Sequence, residues 1–214
     1  SAPNTFLLES AEHGGAWSRY SFIGVRTEST LSEKDGAAVW LGTYPAGAPQ
    51  GIDPLQALRI SASHLKSPVI DGLPPLTGGL VGYMGYDTVR RLEKIGNTSV
   101  KDLPLPEMAF MLTSDLAVMD HSDGTVTLIA NAINWDASDN RIDEAYAECV
   151  ARLDRMQQEL NAPLDGFVSE LEVRTLPDFD SNTTEEKYRQ SVKEIKEEIL
   201  AGEAFQVVLS QRFS

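Results

Sequence analysis

Apolar and polar positions change period several times along the chain, and those changes delimit its elements. Thr5 to Leu8 is a short apolar run that ends in Glu9 and Ser10. A turn follows at His13, Gly14 and Gly15, and Arg19 to Val25 then alternates, so the two runs read as an antiparallel hairpin. Thr27 to Glu33 and Ala37 to Leu41 flank Asp35-Gly36, the strongest short hairpin-turn signal present. Asp53 and Pro54 open a helix over Leu55 to Leu65, expected to pack on the sheet and to stop before Ser67-Pro68. After a Pro- and Gly-rich connection, LVGYMGYD reads as a strand in which Gly82 and Gly85 permit close backbone approach, with Asp87 capping a short helical piece. AFMLTSDLAVMD and TVTLIAN read as two strands that meet at an Asp123-Gly124 turn.

Arg141 to Leu160 is the longest predicted helix, with Ile142, Tyr146, Val150, Leu153 and Met156 on one face and Cys149 beside them as a core residue. Pro163 ends it, and Phe167 to Arg174 has the pattern of one more strand. The polar, Pro-containing LPDFDSNTT is the best domain boundary and divides the chain into 1–180 and 181–214. Beyond it Asn182, Thr183 and Thr184 offer cap oxygens to a helix whose stripe is Tyr188, Val192, Ile195 and Ile199, and Gly202 stands where a C-cap glycine belongs. EAFQVVLSQRFS then alternates Phe205, Val207 and Leu209 against Gln206, Val208, Ser210 and Arg212. Such a strand needs a neighbour, so this helix and strand are expected to open a further domain. The fold class is α+β, with antiparallel β-sheets and flanking helices.

Composition narrows the function more than the fold. A chain of 214 residues, 42% hydrophobic, can bury a real core, and a formal net charge of -14 opposes nucleic-acid binding, which requires a cationic face. No run of about 18 apolar residues exists, so no membrane span is predicted. The single cysteine, Cys149, permits no internal disulfide and favours a reducing compartment; cytoplasm is the expected location. Position 1 is Ser rather than Met, so the natural start is expected upstream.

Most familiar site chemistry is missing from the pattern. His13, His64 and His121 lack metal-type spacing to one another or to Cys149. Asp136, Asp139 and Asp143 lack the central Gly and terminal Glu of a calcium loop and read as helix caps. GGLVGYMG departs from the dinucleotide fingerprint and from the phosphate loop. The exception is the end of the first hairpin, where Glu9, Ser10, Trp17, Arg19 and Tyr20 converge. An acid for an ammonium group, an arginine for a carboxylate and an aromatic for an apolar side chain suit a zwitterionic amino acid. The same residues also make an ordinary surface ion pair with aromatic packing, and geometry alone favours that.

Three phrases break the tie: FLLESAEHGGAWSRYSFIG at 6–24, GGLVGYMGYDTVRRLE at 78–93 and YRQSVKEIKEEILAGEAFQVVLSQRF at 188–213. In this order they closely resemble the N-terminal part of anthranilate synthase component I, a chorismate-utilising enzyme family, and the likeness spans essentially the whole chain. The resemblance implies an N-terminal regulatory domain followed by a chorismate-binding catalytic domain cut off after its first helix and strand. It implies an enzyme that converts chorismate and ammonia, delivered by a glutaminase subunit, to anthranilate and pyruvate with Mg2+, works as a heterotetramer and is inhibited by L-tryptophan. Glu9, Ser10, Arg19 and Tyr20 match one half of the tryptophan pocket. Gln206 matches the position that is a base lysine in water-using relatives; glutamine cannot act as a base but can hold ammonia by hydrogen bonds. The metal-binding glutamates and catalytic histidine of the family are expected downstream, so no turnover is expected here. Aminodeoxychorismate synthase component I and a stand-alone amino-acid-binding module are the alternatives.

Overall fold

In the computed structural model, residues 4–9, 19–96, 101, 103–163 and 178–214 are described. The chain divides into two compact units, Ser1–Pro163 and Leu164–Ser214. Among the described residues the first unit holds two antiparallel four-stranded sheets. One runs in the order β1 (Phe6–Leu8), β2 (Tyr20–Gly24), β7 (Asp115–Asp120), β8 (Thr125–Ala130). The other runs β4 (Ala37–Gly42), β3 (Ser29–Lys34), β6 (Met108–Thr113), β5 (Gly79–Met84).

The hairpin and capping signals act as their chemistry requires. Asp35 and Gly36 both take positive φ, 52° and 82°, the left-handed pair that matches the twist of a two-residue hairpin. Helix α1 (Pro54–His64) starts where Asp53 accepts the Gln56 N–H at 3.0 Å. It sets Ala57 and Leu58 against Leu31, Ala38, Trp40, Met108, Leu112 and Trp135, the core behind the second sheet. Fully buried Leu31 alone contributes about 2 kcal/mol there. Gly82 lies opposite Phe110, and a Cβ at that position would sit 1.9 Å from the Ala109 carbonyl oxygen. Close backbone approach is therefore the reason for glycine in this strand.

The structure corrects several expectations. AFMLTSDLAVMD is two strands, β6 and β7, in different sheets. The chain switches at Ser114, whose carbonyl accepts both the backbone N–H (2.9 Å) and the side-chain amide (2.9 Å) of Asn131. Leu112, Thr113, Asp115, Leu116, Ala117 and Val118 are all buried, so no alternation marked the break. The 3₁₀ turn Tyr86–Arg91 is opened by Gly85, while Asp87, inside the turn, accepts from Arg90 Nε at 2.9 Å instead of capping.

Helix α2 (Ile142–Asn161) packs on β8, and only the second half of the predicted stripe is covered. Ile142, Tyr146 and Val150 are exposed; Cys149, as expected, and Met156 are buried, with Arg152 and Leu153 half-buried beside them. Arg152 belongs to this face because its guanidinium reaches Asp115 (3.0 Å) and the Asn131 carbonyl (2.7 Å). A charge inside a packing face does not register as apolar periodicity. None of the three aspartates caps α2: Arg141 holds the N-cap position and Asp136 accepts the Ser138 N–H in a preceding turn. The strand read at Phe167 to Arg174 lies outside the described residues.

In the second unit, helix α3 (Glu185–Ala201) is capped by Thr184, which accepts the Lys187 N–H, and ends at Gly202 with φ 85°. The strand expected from Glu203 to Ser214 forms no ladder among the described residues. Its pairing is a single bridge, Ser181 to Phe213, beside an edge-on contact of Phe179 and Phe213. Apart from this pairing at its end, the segment has only its alternation among the described residues, and Phe205 is left 94% exposed.

Candidate functional site

Two small polar groups form where β1, β2 and β7 end together. The ladder pairs Leu8 with Phe22 and Tyr20 with Asp120. Continuing the first pairing by one residue sets Glu9 opposite Ser21, and directly opposed residues share a face. Ser21 is buried, and its hydroxyl lies 3.4 Å from Glu9 Oε1 and 2.7 Å from His121 Nε2. His121 is fixed in turn by its backbone N–H, which donates to the Arg19 carbonyl at 2.7 Å.

The second group surrounds Arg19. Its Nε donates to both oxygens of Asp120 (3.0 and 2.9 Å) and its Nη2 to Oδ2 (2.6 Å), a bidentate pair, with the guanidinium 4.9 Å from the centre of the Tyr20 ring. Arg19 and then the hydroxyl and N–H of Ser122 hold the Asp120 carboxyl well below the usual carboxylate range, and the bond to Asp120 raises Arg19. Asp120 thus stays charged throughout the near-neutral range. Tyr20 turns to the other face of β2 and packs with Phe22 against Leu116, Val118 and Ile129.

The residues singled out from the sequence are therefore divided. Glu9 shares a face with Ser21; Arg19 bends to Asp120 and stacks on Tyr20, leaving only Nη1 outside the bidentate pair. Ser10 and Trp17 lie outside the described residues. Gln206 is exposed on the extended segment of the second unit. Sequence reasoning missed Ser21, His121 and Asp120. The one signal was a serine at an alternating inward position in RYSFIGV; the partners come from a strand about 100 residues away, and no local pattern announces them. Among the described residues no group of three or more His, Cys, Asp or Glu gathers that could hold a metal ion, so nothing described here fits the Mg2+ implied by the resemblance. No helix of the described residues is long and apolar enough to cross a membrane.

A family model described as chorismate binding enzyme matches residues 4–214. The chain belongs to the chorismate-binding enzyme family. It is 53% identical over 211 residues to anthranilate synthase component 1 of Mycolicibacterium smegmatis, covering 99% of this chain and 40% of that protein. It is 49% identical over 214 residues to the Mycobacterium tuberculosis protein of the same name, covering 99% and 41%. With that of Pseudomonas aeruginosa it shares 35% over 219 residues, covering 100% and 43%. The chain thus spans about two fifths of the length of these relatives. The crystal structure of anthranilate synthase component I from Streptococcus pneumoniae TIGR4 has the same fold over 95% of this chain and 43% of its own, with TM-score 0.68 and 22% identity. The antiparallel α+β architecture is therefore similar to that of this solved structure.

Proposed function

We propose that this chain is the N-terminal regulatory part of an anthranilate synthase component I. The whole enzyme would convert chorismate and ammonia to anthranilate and pyruvate, with a glutaminase subunit supplying the ammonia in a heterotetramer and L-tryptophan acting as feedback inhibitor. The names of the relatives at 49–53% identity support the enzyme, and one observation supports the sensing role: Glu9 stands exposed at the end of β1, on the face opposite the Phe22 core and outside the Arg19–Asp120 pair. An exposed carboxylate held by a neutral hydroxyl can accept the ammonium of an amino acid; one neutralised by a guanidinium cannot do so as well.

Glu9 and Ser10 are the ammonium-binding side of this site; Asp120 draws the Arg19 guanidinium to the Tyr20 face of the sheet, so Arg19 would have to leave that pair to meet the carboxylate of an amino acid bound at Glu9. In the second unit Gln206 would hold ammonia by hydrogen bonds, since ammonia is already nucleophilic and needs no base. Mg2+ would neutralise charge on chorismate in the whole enzyme.

Incubating the chain with chorismate, an ammonium salt and Mg2+ should yield no anthranilate fluorescence. Measurable product would overturn the separation of sensing from chemistry.

A further inference from the structure

The buried Ser21 hydroxyl stands between two groups that can each accept its one proton, His121 Nε2 at 2.7 Å and Glu9 Oε1 at 3.4 Å. It can satisfy only one of them. When Nε2 carries no hydrogen, Ser21 donates to the ring, and Glu9 receives nothing from it. When Nε2 carries a hydrogen, as it must in the imidazolium, the ring donates to Ser21 Oγ and the hydroxyl proton turns to Glu9. The state of His121 is thereby transmitted to the carboxylate through one buried atom.

We propose that Ser21 and His121 are positioning residues of the amino-acid site, a relay that decides whether Glu9 is tied to Ser21 or open to the ammonium group of the ligand. The significance for ligand binding rests on the reading of Glu9 given above. Among the described residues, the charged groups around His121 single out Glu9 as the one that responds. Just before β2, Arg19 is engaged with Asp120 of β7 in a bidentate pair. In the turn to β8, Asp123 accepts from the Thr125 N–H (2.9 Å) and hydroxyl (2.7 Å), and β8 itself, TVTLIA, carries no charge. The Glu9 carboxylate at the end of β1 is the remaining partner across Ser21. An imidazolium at the far end both occupies a Glu9 lone pair and repels an incoming cation, so ligand affinity should fall when the ring takes up a proton.

Two measurements on the 214-residue chain test this. In the ligand-free protein, the Glu9 carboxyl carbon followed by NMR should show an inflection that coincides with the titration of the His121 ring and disappears in Ser21→Ala and His121→Gln. Its absence from wild type, or its persistence in both variants, overturns the relay whatever the ligand. With L-tryptophan as probe, wild-type affinity should fall about three- to tenfold from the pH at which the His121 ring signal reports the neutral form to that at which it reports the protonated form, and both variants should flatten that profile to within about twofold. A coupled Glu9 signal without any L-tryptophan binding would uphold the relay and remove the amino-acid reading. A wild-type affinity that does not change with pH would overturn the gating.

Discussion

Valine in place of Gly82 should detach β5 from β6 and destabilise the first unit by about 3 kcal/mol or more, seen as a lower midpoint in urea denaturation. The new Cβ would lie 1.9 Å from the Ala109 carbonyl oxygen and 2.7 Å from the Phe110 Cα. Both are backbone atoms of the neighbouring strand and cannot swing aside as a side chain would. β5 is an edge strand, so the clash has an exit: the strand peels away and leaves part of the Leu31–Met108–Leu112 core open. Gly85→Ala is the control. Its Cβ would meet the Glu107 carbonyl at 3.2 Å, a contact that a few tenths of an ångström relieve, and the cost should stay below about 1 kcal/mol. Equal midpoints for Gly82→Val and wild type would contradict the packing of this sheet.

Gly82 was legible as a glycine in a strand pattern, though its clash partner lies on β6; Asp35-Gly36, the Asp53 cap and the Thr184 and Gly202 ends of α3 were legible because their constraints are local. Each of the latter is a short-range rule in which a residue type answers a backbone need within a few positions. What could not be read depends on partners far along the chain. Arg19 looked available to a ligand until β2 was laid beside β7, which brings Asp120 to it from 101 residues away. Ser21 and His121 meet through the same pairing. The break at Ser114 was hidden because both strands it joins are buried on successive positions, and the predicted face of α2 was right only in its second half, where Arg152 also takes part. The final strand was legible as alternation, yet alternation does not supply the neighbour that makes a ladder.

Arg91→Met should cost about 2–3 kcal/mol at neutral pH, less than a fully buried ion pair because the guanidinium retains some solvent contact. Arg91 donates to Asp53 (2.8 Å) and twice to Glu107 (2.9 and 2.6 Å), and its Nη2 approaches the Gly36 carbonyl (3.5 Å). It thus joins the cap of α1, the β3–β4 turn and the residue before β6. Beside it the Glu33 side chain, 7% exposed, accepts from the N–H groups of Gly36 (2.6 Å) and Glu107 (3.1 Å). Methionine keeps the volume and leaves three carboxylates close together without their central cation.

The pH dependence of this loss has a definite sign. Burial pushes Asp53 up, but the N–H of Gln56 and the guanidinium of Arg91 outweigh it and the net position is below the ordinary value. Burial likewise pushes Glu33 up, and the N–H groups of Gly36 and Glu107, then the charges of Lys101 and Arg91, bring it below its ordinary value. The fold therefore favours both charged forms. The stability they contribute is fully present above about pH 4, where the unfolded groups ionise, and is lost as pH falls through the folded values. The variant has less of that stability to lose. The gap between wild type and Arg91→Met in thermal midpoint should narrow from about pH 7 to about pH 3.5, and a gap that widens would contradict the network.

The sensing role of the first hairpin is tested most directly by calorimetric titration of L-tryptophan into wild type and Glu9→Ala at neutral pH. Saturable binding by wild type and a weakening of about tenfold or more in Glu9→Ala is the predicted result, since an ammonium–carboxylate bond is lost. Equal affinity in the two proteins, or no binding by wild type, would contradict it.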